Sequence, residues 1–474
     1  MSPKTRRFLL VVFLIALAFR LTPIVVTPDL PISLDDMFQY DMLARSIAAG
    51  NGFRWYGEED LDLIMRYIDM EVPDDYDPRG VKTSFRAPGY PTFLALVYAL
   101  CGVGEQRFIC ARIAQAILGS TLVPLVWLLG QQIGFTRRTR NLAAIIVAVF
   151  PLLIAYPLAL ATENLFVPLL LLALVLLLRA SQKQRIGDYA LAGLAMGVAA
   201  LTRSVVAAFL PLAVVWLWWV APERRSLLRN VAALAATFLL VTIPWAVRNT
   251  IVHQQPMWVE SALGYDLYVG YHPESTGTFQ YGISLDLLPM LDDGERHDRG
   301  MEAFWRFVRQ DPARVPYLMI RKAGYLWSLD RRALTYFYGN GLLGPLPVWS
   351  VVLIYTLACG PLVVLAPLGA IGLAGGRFNR RKMLIVLLMV YYTGIHMMIL
   401  AEPRFHVPLL PVVVLLAAFA LVERPWRESA SWQQALALTL IGLLFLNWGL
   451  EIWRDWDVFV QLFGPEGHKL GRPY

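Results

Sequence analysis

Long apolar runs, separated by short clusters of arginine and lysine, constrain this chain more than any other feature of its sequence. About 20 consecutive apolar residues cross the ~30 Å hydrocarbon core of a bilayer as a helix, and in lipid only helices and closed barrels satisfy their own backbone. The clusters are Lys4/Arg6/Arg7, Arg137/Arg138/Arg140, Arg179/Lys183/Arg185, Arg224/Arg225/Arg229, Arg377/Arg380/Arg381/Lys382 and Arg424/Arg427. Loops rich in Lys and Arg stay in the cytoplasm. Holding every cluster on that side gives eleven spans, at 8–28, 108–133, 142–160, 162–179, 188–203, 204–220, 231–250, 347–375, 383–400, 404–422 and 435–453, with the N-terminus inside and the C-terminus outside.

Composition agrees. Of 474 residues 57% are hydrophobic and only 16% charged, against roughly 25% charged in soluble domains. The net charge of +7 comes from clusters at span ends rather than from one basic face, so nucleic acid is not an expected partner. The expected fold class is an all-α polytopic membrane protein, a single membrane-embedded unit over residues 1–474. The 8–28 run also carries signal-peptide marks, including Ala16-Leu17-Ala18, but Arg20, Pro23 and the acidic motif that follows favour a retained helix. Residues 188–220 have to rise and return as two short helices, with Arg203 at the turn. The apolar run 88–103 would invert every later cluster up to Arg229 if it spanned, so it reads as re-entrant or interfacial. Cys101, Cys110 and Cys359 show no metal-site spacing, and neither a disulfide framework nor a structural zinc is expected.

Two segments on the outer side exceed what a connector needs: 29–107 and 249–346. Residues 29–87 hold 13 acidic and 6 basic residues, the reverse of the cytoplasmic loops. In the second segment Met301, Phe304, Trp305 and Val308 recur at helical spacing, an amphipathic helix for the membrane surface.

The candidate chemistry lies in these segments. Asp35 and Asp36, in Leu34-Asp35-Asp36-Met37-Phe38-Gln39-Tyr40, are crowded carboxylates that suit a general base or equally the N-terminus of a helix. Arg86, in Ser84-Phe85-Arg86-Ala87-Pro88-Gly89-Tyr90-Pro91, can fork onto a phosphate or anchor at the interface. Glu163 leaves a carboxylate at a turn between two spans, where it serves a reaction or caps the next helix. Arg20, Arg112, Arg203, Arg248, Lys322 and Arg404 are further cations of the outer side, each either an anchor or part of an anion site; Arg404 opens a span two residues after Glu402. His406 reads as a hydrogen-bonded histidine rather than a ligand. Glycine-rich phosphate loops and H-E-x-x-H are absent from the sequence, which speaks against nucleotide-driven chemistry.

In order and placement these motifs resemble the polyprenyl-phosphate-sugar-dependent glycosyltransferases of the C-type membrane fold, the group of protein O-mannosyltransferases and the lipid A aminoarabinose transferase. The likeness covers nearly the whole chain. It rests on Asp36, Tyr40 and Ala44; on Arg86, Pro88, Tyr90 and Pro91; on Glu163; on Leu201-Thr202-Arg203; on Pro244, Trp245, Arg248 and Asn249; and on Arg404. Many relatives have Asp-Glu where this chain has Asp36-Met37 after an extra Asp35, and its acidic stretch 58–77 is long.

The resemblance implies inverting transfer of a sugar from a polyprenyl-phosphate donor to a glycan, lipid or protein acceptor on the extracytoplasmic face. Asp36 is then the base, with Asp35 and Glu163 beside it, and Arg86, Lys322, Arg404, Arg203 and Arg248 hold the donor phosphate. No cofactor is implied for certain; a divalent cation could sit on the carboxylates. Two other classes fit a polytopic chain, a lipid or small-molecule transporter or flippase and a non-catalytic assembly subunit. Charges at span ends and the lack of internal repeats argue against the first.

Overall fold

The computed structural model describes residues 1–470 apart from 34, 222–223, 330, 332–333, 335–336, 340 and 342, so Leu34 of the acidic motif lies outside the described residues. The described chain is predominantly helical, with one two-stranded antiparallel ribbon pairing Arg54 with Lys82 and Trp55 with Val81.

Among the described residues, seven helices are long and apolar enough to cross a membrane, and the bent pair Arg137–Val149 and Pro151–Leu158 makes an eighth. The other expected spans are helices too, but shorter: Ile186–Thr202, Ser204–Val220 and Lys382–Met398. Arg203 stands between the first two of these in extended conformation. The apolar run near residue 88 is the Gly89–Cys101 helix, whose 13 residues rise about 20 Å, too little to span.

The spans pack through small residues and buried polar anchors. A Cβ on Gly193 would stand 2.1 Å from the Leu234 carbonyl oxygen, so only glycine lets Ile186–Thr202 approach Arg224–His253 this closely. Pro151 has no N–H to continue the preceding helix, and the chain bends there by 52°. The carbonyls freed by the break are taken by Arg20, fully buried in the first span, which donates to Val147 and Ala148 at 3.2 Å each. Arg112 does the same between loops, donating to Leu30 at 2.6 Å and Leu158 at 2.9 Å.

The two long segments fold against each other. The first contains Asp36–Ala48, the ribbon and Glu58–Ile64; the second contains Ala262–Tyr271, Tyr281–Leu285, Asp293–Gln310 and Arg314–Leu326. Trp55, Phe85, Tyr265 and Val269 belong to one shared apolar core. The expected amphipathic helix is Asp293–Gln310. Met301, Phe304 and Val308 pack on Leu267, Tyr271 and Leu318, while Trp305 stays half-exposed.

One expectation is corrected. Cys101 and Cys110 form a disulfide that ties the end of Gly89–Cys101 to Arg107–Ser120. Spacing alone hid it because the turn between them brings the two Cα atoms to 6.6 Å, within bridging reach. Cys359 is buried and takes no part in the disulfide.

Candidate active site

The Asp35–Asp36 pair divides its work. Asp35 is the N-cap of Asp36–Ala48, its carboxylate accepting the Met37 N–H at 3.0 Å and a hydrogen bond from Ser33, which satisfies a helix donor that has no partner inside the helix. Asp36, one residue on, turns its carboxylate toward two guanidiniums: Arg86 donates to one oxygen, and Arg404 to the other at 2.6 Å. Arg86 also donates to Gln39 at 2.8 Å, and Arg404 pairs with buried Glu402 at 2.8 Å.

The turn that carries Arg86 is held on several sides. The Asp293 carboxylate, at the start of its helix, accepts from the Thr83 hydroxyl at 2.7 Å, the Ser84 N–H at 2.6 Å and Arg296 at 2.6 Å. Arg248 donates to the Thr83 carbonyl at 2.6 Å, and the Ser261 N–H to the Ser84 carbonyl at 2.9 Å. After Arg86 the chain presses on Ile186–Thr202, where a Cβ on Gly89 would lie 2.7 Å from the Thr202 hydroxyl oxygen. That contact sets the Arg86 turn beside Arg203. Arg203 donates to Glu163 at 2.6 Å, and Thr162 to the other Glu163 oxygen at 3.1 Å.

Asp35, Asp36 and Arg404 form the polar end of a cavity of about 90 Å³ whose other walls are largely apolar, among them Leu152, Leu160, Phe337 and Val407. A charged end and an apolar wall in one cavity suit a ligand that is itself part phosphate and part hydrocarbon.

Not every expected site residue converges here. Arg248 is spent on the Thr83 and Phe53 carbonyls and on the Trp245 ring. Lys322 is fully buried with its ammonium 3.4 Å from the centre of the Tyr271 ring, and burial pulls its pKa down to about 7. His406 is hydrogen-bonded to the Leu326 carbonyl at 2.8 Å. Burial pulls the Arg86 guanidinium's pKa down, but Asp36 beside it more than offsets this and leaves it above its ordinary value.

Sequence reading missed Asp266. It lies on Ala262–Tyr271, whose Tyr265 ring packs edge-on against Phe85 at 5.1 Å, and within electrostatic reach of Arg86, Asp36, Glu260 and Glu402. Burial first, then Glu260, push its carboxyl from 3.8 up to about 7, against the pull of Arg86. Its signal was a lone acid in the apolar, aromatic stretch Ala262-Leu263-Gly264-Tyr265-Asp266-Leu267-Tyr268.

The donor set does not fit a metal. The described residues hold no group of three or more His, Cys, Asp or Glu able to share an ion, and both oxygens of Asp36 already face guanidiniums. We therefore derive no step through a cation.

Comparisons agree with the fold. Residues 85–247, which include Arg86, Glu163 and Arg203, match the family model for dolichyl-phosphate-mannose-protein mannosyltransferase. The oligosaccharyltransferase AglB from Archaeoglobus fulgidus, solved in complex with an inhibitory peptide and a dolichol-phosphate, superposes with a TM-score of 0.51 at 14% identity, covering 99% of this chain and 59% of AglB. Its apo form gives 0.52 at 15% identity, covering 99% and 60%. ArnT from Cupriavidus metallidurans bound to undecaprenyl phosphate is more distant, with a TM-score of 0.44 at 13% identity over 99% of this chain and 75% of ArnT. No curated protein matches the sequence significantly. The fold is thus shared with AglB, and this chain spans about three fifths of AglB's length.

Proposed function

We propose that this protein is an inverting glycosyltransferase that moves a sugar from a polyprenyl-phosphate donor to an acceptor hydroxyl on the extracytoplasmic face of the membrane. The observation that carries this reading is the Arg86–Asp36–Arg404 cluster, whose Asp36 and Arg404 line the polar end of an apolar-walled cavity. The family match across Arg86, Glu163 and Arg203, and the dolichol-phosphate in complex with AglB, support a lipid-linked donor.

In this mechanism the donor phosphate competes with Asp36 for Arg86 and Arg404. The released Asp36 carboxylate takes the proton of the acceptor hydroxyl as its oxygen bonds to the anomeric carbon. The bond from that carbon to the phosphate oxygen breaks on the opposite face, and the lipid phosphate leaves with the electron pair. Its growing charge needs no proton, only cations already in place, and the two guanidiniums supply them. Buried Glu163 holds Arg203 in place beside the cluster, and the acceptor is a glycan, a lipid or a protein.

Two features support the outer side. The basic clusters adjoin the span ends remote from Arg404, and the Cys101–Cys110 disulfide lies on the segment that follows Arg86; disulfides persist in oxidising compartments. The test is sugar transfer by the reconstituted protein. Asp36→Asn loses at least about 100-fold in turnover with unchanged expression, while Asp35→Asn, still able to cap its helix, stays within a few-fold. The opposite pattern overturns the assignment of the base.

A further inference from the structure

The Asp36 cluster occupies one end of the bundle, and a second cavity, of about 530 Å³, opens at the other. It lies where Val348–Ala374 ends and Lys382–Met398 begins, against the end of Pro403–Glu423. Arg404 opens that last span and Glu423 closes it. At about 1.5 Å per residue the two ends stand roughly 30 Å apart, the thickness of the hydrocarbon core. The cavity therefore sits at headgroup depth on the opposite face.

Its charges do not cancel. Its wall carries Arg377, Arg380, Arg381 and Lys382 against Glu423 and Glu428; Glu423 accepts the Thr136 N–H at 2.8 Å and the Thr139 hydroxyl at 2.6 Å on one oxygen and keeps its charge, and Glu428 pairs with Arg377 at 3.2 Å. Lys382 turns away, donating to the Gly372 and Gly375 carbonyls at 3.2 and 2.6 Å. That leaves Arg380 and Arg381, both exposed in the cavity wall and neither paired with a carboxylate among the described residues. Beside them Phe378, 69% exposed, meets Trp219 edge-on at 5.6 Å, and the Arg380 guanidinium lies 5.8 Å from the same indole. Exposed aromatic rings at span ends are characteristic of the headgroup layer, and basic pockets between spans there recognise anionic lipids.

We propose that this cavity binds the phosphate headgroup of an anionic membrane phospholipid. The guanidiniums of Arg380 and Arg381 fork onto the phosphate oxygens, while Phe378 and Trp219 line the glycerol and the first methylenes of the acyl chains. These two exposed rings point to a lipid rather than free phosphate, which has no apolar part to cover them. The site is independent of the reaction assigned to the Asp36 cluster.

The full-length protein in nanodiscs tests this with a photoreactive phosphatidylglycerol, followed by peptide mapping, in phosphatidylcholine as the bulk lipid. Cross-links in the peptides holding Phe378 and Trp219 are expected. They should fall at least tenfold in Arg380→Ala/Arg381→Ala, fall by less in Arg380→Lys/Arg381→Lys, which keeps the charge but loses the fork, and resist millimolar inorganic phosphate. Labelling confined to other segments of the wild-type protein overturns the proposal, as does a photoreactive phosphatidylcholine that labels the site equally. Displacement by inorganic phosphate assigns the cavity to the free anion and also overturns it. The wild-type map stands even if a variant fails to fold.

Discussion

Arg404→Ala separates a catalytic arginine from a structural one. The guanidinium spans two acids, Asp36 at 2.6 Å and Glu402 at 2.8 Å. A preorganised donor aimed at developing charge contributes about 2.7–4 kcal/mol, or ~10²–10³ in turnover. The Arg404 and Asp36 side chains are 24% and 19% exposed, so solvent screens part of the interaction. Arg86 also remains in place. The expected loss is therefore near the lower bound, about 100-fold in kcat. Stability also falls, by roughly 3 kcal/mol, because Glu402 is 3% exposed and loses its cation. Arg404→Ala/Glu402→Gln removes that buried charge and separates the two effects. Its melting temperature recovers toward wild type while sugar transfer in reconstituted vesicles stays about 100-fold down. If turnover recovers together with stability, Arg404 only holds Glu402, and the phosphate-stabilising role is refuted.

Three further outcomes follow from other parts of the structure. The Asp266 carboxyl is raised from 3.8 to about 7 by burial and Glu260, so between those values the folded chain binds a proton that the unfolded chain does not, and stability falls as pH rises through that window; Asp266→Asn flattens that decline in thermal unfolding, and an unchanged profile excludes Asp266 as its source. Asp293→Asn leaves Arg296, 1% exposed, without its anion and loosens Thr83 and Ser84, so unfolding should show a loss of about 3 kcal/mol, and one below about 1 kcal/mol would discount the tie between the two loops. For orientation, a cysteine at Arg138 should react with impermeant maleimide only from the cytoplasmic side, and labelling from outside inverts the topology.

The fold was legible because lipid leaves the chain few choices. Each expected span is helical, and Ser2, Pro3 and Thr136 mark helix starts by their usual chemistry. Less visible was how the helices are cut. The break at Pro151 depends on Arg20, more than a hundred residues earlier, accepting a wholly buried place among freed carbonyls. Hydropathy cannot express that pairing. The Cys101–Cys110 bridge was hidden for the same reason, since it depends on the geometry of the turn and not on the spacing of the cysteines.

The site was half legible, and the division has a physical cause. Asp36, Arg86, Glu163, Arg203 and Arg404 stand at element ends, where a charged side chain can reach across to a neighbouring loop, and they meet as two linked ion-pair groups. Arg112 and Arg248 occupy similar positions in the sequence but face unpaired carbonyls, which take their guanidiniums instead. The cluster that results is balanced, with Arg86, Arg203 and Arg404 set against Asp36, Glu163 and Glu402. An incoming phosphate therefore has to displace a carboxylate. Of the three, Glu402 is held on a buried side and Glu163 is locked by Arg203 and Thr162, which leaves Asp36 as the one that faces the cavity. In the proposed mechanism donor binding and activation of the base are then one event, because the cations that receive the phosphate are those that had neutralised the base.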